Sequence, residues 1–327
     1  MTSEMRSLLD HRLIIVTGKG GVGKTTVACL LAEAARRTGM RVLLAETAPI
    51  EAVASRFEPD PEPLGYEGRE LRPGLHAIRI DPHEALAHYV RLQTGLGLVT
   101  DRILASEIFR QLLEAAPGWR ELILLGKLWH VEQSQEGGRP EYDLIVVDAP
   151  ATGHGLTFLD VPRVAQQAVR AGPLARHAGW VEELVHDRER TLLLPVTLPE
   201  ELPVRETVEL VNRAREDIDI GVDRVIVNRL PPRPSPALRE VLAGSDISFE
   251  AWPPPAALAP LVEHAASRAA LAEAERVSVS TRCDLPVVDV PILPGGLEGG
   301  TDWSEFADGI GVQPVRPATE QAGESAA

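Results

Sequence analysis

The stretch TGKGGVGKTT, Thr17 to Thr26, constrains this chain more than any other ten residues in it. It follows the β-branched run RLIIVT (Arg12 to Thr17) and leads into Thr25 to Arg37, where Val27, Leu30, Leu31 and Ala34 recur at helical spacing. Strand, glycine-rich loop and helix in that order are the setting in which Gly18, four residues and then Gly23-Lys24-Thr25 read as a phosphate-binding loop. Gly20, Gly21 and Gly23 carry no Cβ, so successive backbone N–H groups can turn inward around a β-phosphate at a helix N-terminus. Lys24 supplies positive charge to the β and γ phosphates, the Thr25 hydroxyl can ligate Mg2+, and Thr26 joins them as a nucleotide contact.

Gly39 is placed as a helix stop, and Arg41 to Glu46 reads as the next strand, completing a βαβ unit. Further buried strands are expected at Leu75 to Ile80, Asp143 to Val147, Thr191 to Val196, Arg224 to Val227 and Pro286 to Val290, mostly separated by helix-length stretches. The expected fold class is α/β, a doubly wound and mostly parallel sheet with an inserted helical subdomain. One domain covers 12–312, with the helical part drawn from about 82–132 and 161–190, and residues 314–327 read as a disordered tail. Within the helical part, Leu86, Tyr89, Val90, Ile103, Leu104, Ile108, Phe109, Leu112 and Leu113 provide apolar faces. These faces either pack on each other and the sheet or form a partner-binding groove.

The formal charge of −15 argues against nucleic acid as a partner. Cys29 and Cys283 fit neither a disulfide framework nor a metal pair, and no run of 18 apolar residues or secretory h-region occurs. A soluble cytoplasmic protein with no integral membrane segment is expected.

Lys19 is one lysine more than a phosphate loop needs. The extended form Lys-Gly-Gly-x-Gly-Lys-Thr-Thr resembles the deviant Walker A motif of the signal-recognition, MinD and BioD class. In that class the first lysine reaches the phosphates of the other subunit's nucleotide, which implies catalytic roles for Lys19 and Lys24 and a homodimer across ATP. Tyr142 to Pro162, YDLIVVDAPATGHGLTFLDVP, narrows the match. Its strand ends at Asp148, where a carboxylate can hold Mg2+ through water, and Ala-Pro-Ala-Thr-Gly-His resembles switch II of the ArsA/Get3 family. That resemblance implies a backbone flip at Gly153, while His154 has either a structural or a switch role. Glu200, in Pro199-Glu200-Glu201-Leu202-Pro203 before Arg205-Glu206-Thr207, takes the place of a family glutamate near the nucleotide and the dimer interface, although an ordinary helix start explains it as well. Asn228, ending Val225-Ile226-Val227-Asn228, takes the place of an adenine-contacting asparagine.

The pattern breaks at switch I, where the family reads Ser-Thr-Asp-Pro-Ala and this chain reads Glu46-Thr47-Ala48-Pro49-Ile50. Ala48 cannot orient water, and placing such a group contributes about 10² to 10⁴ in rate. Glu46 has the side-chain parity of Ala48 and either substitutes for the aspartate or is a structural strand end. Two readings follow. One is an ATP-hydrolysing dimer that couples nucleotide state to handling of an unidentified protein client or membrane partner. The alternative is an ATP-binding regulatory or partner subunit with weak or no hydrolysis. Without a Cys-x-x-Cys pair no interfacial zinc is expected, and both cysteines are assigned to packing.

Overall fold

A computed structural model describes residues 7–48, 50–94, 118–150, 157–168, 172–235 and 255–292. The strands are β1 (Leu13–Thr17), β2 (Val42–Glu46), β3 (Arg69–Arg72), β4 (Leu75–Arg79), β5 (Gln135–Glu136), β6 (Arg139–Pro140), β7 (Leu144–Asp148), β8 (Thr191–Thr197), β9 (Val225–Leu230) and β10 (Val287–Pro291). The helices are α1 (Lys24–Arg37), α2 (Ala54–Phe57), α3 (Pro82–Thr94), α4 (Trp119–Gln133), α5 (Thr157–Ala168), α6 (Pro173–His186), α7 (Glu201–Arg213) and α8 (Pro255–Cys283). Eight strands form one sheet in the order β10-β9-β8-β1-β7-β2-β4-β3, parallel throughout except for β3, which runs antiparallel to β4 at the edge. The five expected later strands are all present, with bounds that agree to within three residues. The short β3 and the two-residue pairing of β5 with β6 had no sequence signal, since their residues are mostly charged or polar.

Strand β1 sits between β7 and β8, and every one of its five residues is buried. A strand covered on both faces needs a continuous apolar run rather than alternation, and LIIVT and LIVVD supply it. Alternation instead sorts the two faces. Ile14, Val16, Val42, Leu44 and Val146 face α1, where Val27, Leu30 and Leu31 meet them. Leu13, Ile15, Leu43, Ile145 and Val147 face the other way, against Leu125 and Leu128 of α4, Val181 and Leu184 of α6 and Val204 and Val208 of α7. Each fully buried Leu, Ile or Val contributes roughly 1.5–3 kcal/mol, so this double layer accounts for much of the driving force.

The described part of the helical region therefore packs on the sheet and on itself. Leu86 is buried, and α4 rests against α5 and α6. Ile103, Leu104, Ile108, Phe109, Leu112 and Leu113 lie outside the described residues, as does the 314–327 tail. From β1 the chain moves outward to β2 and β4, returns through β7, and crosses to β8, β9 and β10 on the opposite side. Reversal of this kind leaves a crevice at the carboxyl ends of the central strands.

Candidate functional site

The loop at the carboxyl end of β1 is shaped by glycines with positive φ: Gly18 at 146°, Gly21 at 85° and Gly23 at 93°. Two of them have no room for a side chain. A Cβ on Gly18 would lie 2.3 Å from the Val196 carbonyl oxygen of β8, and one on Gly23 would lie 2.2 Å from Asn228 Nδ2 of β9. Gly20 and Gly21 are exposed at the mouth of the loop. The sheet therefore grips the base of the loop and leaves its crest open.

Asn228 does more than the sequence suggested. It is 3% exposed, its Nδ2 donates to the Val22 carbonyl oxygen at 2.8 Å, and its Oδ1 accepts from the Arg229 N–H at 2.9 Å. The side chain braces the loop from β9, a role invisible in a motif that ends a strand. Arg229 itself has a φ of 58°, a left-handed conformation that costs a non-glycine residue about 1–2 kcal/mol and that the Asn228 bond supports. Beside it, a cleft of 370 Å³ is lined by Leu198, Pro199, Glu200, Arg229, Pro231 and Arg268, among others. Glu200 is the residue just before α7, and Arg268, on α8, had no motif to mark it.

Lys24 opens α1, and its Nζ donates to the Lys19 carbonyl oxygen at 3.2 Å. Burial lowers its pKa, and the Asp148 charge acts in the opposite sense. A desolvated ammonium with one carbonyl partner suits an anion arriving over the loop. The Thr25 hydroxyl donates to Asp148 Oδ2 at 2.6 Å, so the structure brings together the two residues expected at a cation. Asp148 is 2% exposed, burial raises its pKa against the Thr25 bond and the Lys24 charge, and its Oδ1 has no hydrogen-bond partner. An orphaned buried carboxylate oxygen beside a threonine hydroxyl fits a Mg2+ site built from a few protein oxygens, phosphates and water.

The end of β2 lies alongside. Glu46 is fully buried, and its Oε1 accepts from the N–H groups of Ala52 at 2.6 Å and Val53 at 3.2 Å. Burial pushes its carboxyl up to about 7 despite those two bonds. Thr47 donates to the Asp148 carbonyl oxygen from Oγ1 at 2.8 Å and from its backbone N–H at 3.3 Å. Ala48, half-buried, offers only a methyl group.

Lys19 is held within its own chain. Its Nζ lies 2.6 Å from Glu206 Oε1 on α7, with the two side chains 39% and 36% exposed. Glu206 was quoted in the sequence motif without a role, and only the packing of α7 beside β8 shows what it contacts. Gly153 and His154 lie outside the described residues. Cys29 and Cys283 are both buried, and burial raises both thiols. Among the described residues, no three His, Cys, Asp or Glu side chains are grouped to hold a metal, and no helix is long and apolar enough to cross a membrane.

Comparison with known proteins agrees with this geometry. The family model described as anion-transporting ATPase matches residues 11–176, from β1 through the end of β7 and into α6. The ATPase BagA of Mycobacterium tuberculosis is 35% identical over 227 residues, 68% of this chain and 66% of that protein. An ATPase GET3 from Kluyveromyces lactis is 28% identical over 257 residues, covering 67% of this chain and 72% of that protein. A putative arsenical pump-driving ATPase of Halobacterium salinarum is 29% identical over 251 residues, 71% of this chain but 37% of that protein. The chain thus spans just under two thirds of the mycobacterial relative it matches. With the matched region taking in the phosphate loop, β2 and Asp148, the chain belongs to the ArsA/Get3 family of anion-transporting ATPases.

Proposed function

We propose that this chain binds ATP with Mg2+, hydrolyses it, and works as a homodimer that handles a protein client or membrane partner in the cytoplasm. The observation that carries the reading is the loop itself, where Gly18 and Gly23 have no space for a Cβ and Lys24 and Thr25 converge beside the orphaned Asp148 oxygen. Backbone N–H groups of Gly20, Gly21 and Gly23 and the Lys24 amine would hold the β and γ phosphates, and Thr26 the α side. Thr25 and Asp148 would hold Mg2+, which neutralises the charge that develops on phosphoryl oxygens. The cleft lined by Glu200 and Arg229 would take the base, with the neighbouring Asn228 as the proposed contact to its edge.

Lys19 supports the dimer reading, because a half-exposed pair such as Lys19–Glu206 contributes about 0–1 kcal/mol and is cheaply exchanged for a partner's phosphate. Gly153 and His154 are proposed to answer the γ-phosphate. Calorimetric ATP titration and sedimentation with a non-hydrolysable analogue test the whole. Wild type binds and dimerises, Lys24→Ala loses ATP, and Lys19→Ala keeps ATP but loses turnover and dimerisation. Wild-type protein that ignores ATP overturns the reading.

Ala48 favours a second reading, a subunit that binds ATP but scarcely cleaves it. Single-turnover rates of wild type and Ala48→Asp separate the two. A rate raised by about 10² or more assigns the chain to the binding class, and a robust wild-type rate left unchanged assigns it to the hydrolysing one.

A further inference from the structure

Two carboxylates end neighbouring strands on the α1 face of the sheet, and each keeps one oxygen without a partner. Glu46 and Asp148 stand in register across the β2–β7 pair and are 0% and 2% exposed. They continue the rows Val42, Leu44 and Leu144, Val146, which fill the core beneath α1. Glu46 Oε1 is spent on the Ala52 and Val53 N–H groups, and Asp148 Oδ2 on the Thr25 hydroxyl. That leaves Glu46 Oε2 and Asp148 Oδ1, both buried and both unpartnered. Burying a carboxylate costs several kcal/mol, which the Lys24 and Arg56 charges offset only in part at Asp148, and two carboxylates side by side repel each other besides. The charges acting on Glu46 are those of Asp148 and Glu51, like its own in sign.

We propose that Glu46 is the second carboxylate of the cation site, its Oε2 and Asp148 Oδ1 together taking Mg2+ or its bound water, in place of the aspartate whose position Ala48 occupies. The inference rests on the nucleotide reading above. Mg2+ is a hard cation that takes oxygen donors, commonly one or two carboxylates together with phosphates and water, and this pair supplies the carboxylates. One side chain then serves two ends, since the carboxylate that meets the cation at Oε2 fastens the segment after β2 at Oε1. A serine at position 46, as the family pattern has it, can do neither in this way.

The test is binding of Mn2+, followed by the resonance signal of the free ion, to the full chain saturated with ADP. Glu46→Gln keeps an acceptor for the two N–H groups and puts an uncharged NH2, which cannot ligate a cation, where Oε2 stands. Its Mn2+ affinity should fall about tenfold or more, the range found for partners of a metal shell, while ADP binding in chelator stays within about twofold of wild type. Equal Mn2+ affinity in both proteins overturns this inference alone. A wild type that binds no ADP overturns the nucleotide reading and this inference with it. Should Glu46→Gln fail to fold, infrared difference spectra of wild type carrying carbon-13-labelled glutamate, with and without Mn2+ in ADP, decide the matter. A shifted glutamate carboxylate band supports the assignment, and an unshifted one overturns it.

Discussion

Gly23→Ala, Asn228→Ala and the double variant form a cycle that measures how far β9 determines the shape of the phosphate loop. Asn228→Ala leaves the Val22 carbonyl and the Arg229 N–H without partners. At about 1–3 kcal/mol for each such group, and with the loop close to solvent, the loss should be about 2–4 kcal/mol. Gly23→Ala forces a side chain into a φ of 93°, for about 1–2 kcal/mol. Its Cβ also meets Asn228 Nδ2 at 2.2 Å, so the amide must leave Val22, adding about 1–3 kcal/mol. In the double variant the new methyl group occupies space the amide has vacated, and the collision does not occur. The double loss should therefore fall short of the sum of the singles by about 1–3 kcal/mol. Urea unfolding with linear extrapolation supplies the three values, read from midpoints at constant slope. Losses that add to within about 0.5 kcal/mol would refute the idea that Asn228 is the loop's brace.

Three further outcomes follow from the same geometry. Lys24→Met removes a charge that burial disfavours, so the nucleotide-free protein should melt at a higher temperature while calorimetry shows ATP binding lost; a lower melting temperature contradicts the desolvated-lysine account. Glu206→Gln frees Lys19 from a half-exposed pair, so melting should be unchanged within about 0.5 kcal/mol and ATP-driven dimerisation strengthened, and weaker or unaltered sedimentation counts against it. His88, His130 and His177 lie among Tyr66, Tyr89, Trp129 and Trp180, and burial lowers all three pKa values. The fold holds them neutral while the unfolded chain binds protons, so stability is lost as pH falls below about 6.5. His130→Phe should lose less stability than wild type between about pH 7 and pH 5 in thermal melts, and an equal slope speaks against the cluster.

The sheet was legible because buried parallel strands are written as apolar runs, and LIIVT, VLLAE and LIVVD admit little else. The phosphate loop was legible because its glycines are spaced by backbone geometry that no other residue tolerates. Residues whose meaning is a long-range contact were not. Glu206 looks like any carboxylate in the second turn of a helix until α7 packs beside β8 and carries it to Lys19. Asn228 had a family role but showed nothing of its bond to Val22, 206 positions away in sequence. For Glu46 the sequence leaves a substitute and a strand end both open, and only the register of β2 with β7 shows that it stands beside Asp148.

Thr47 and Asp148 meet at a single carbonyl oxygen, which accepts both the hydroxyl and the backbone N–H of Thr47. The two segments that leave the sheet here, one after β2 and one after β7, thus share a fastening at their roots. A displacement of the backbone at Asp148 must carry Thr47 with it or break both bonds together. The ends of β2 and β7 are thereby joined beyond the last rung of their ladder, so that a shift of either strand end is felt at the other.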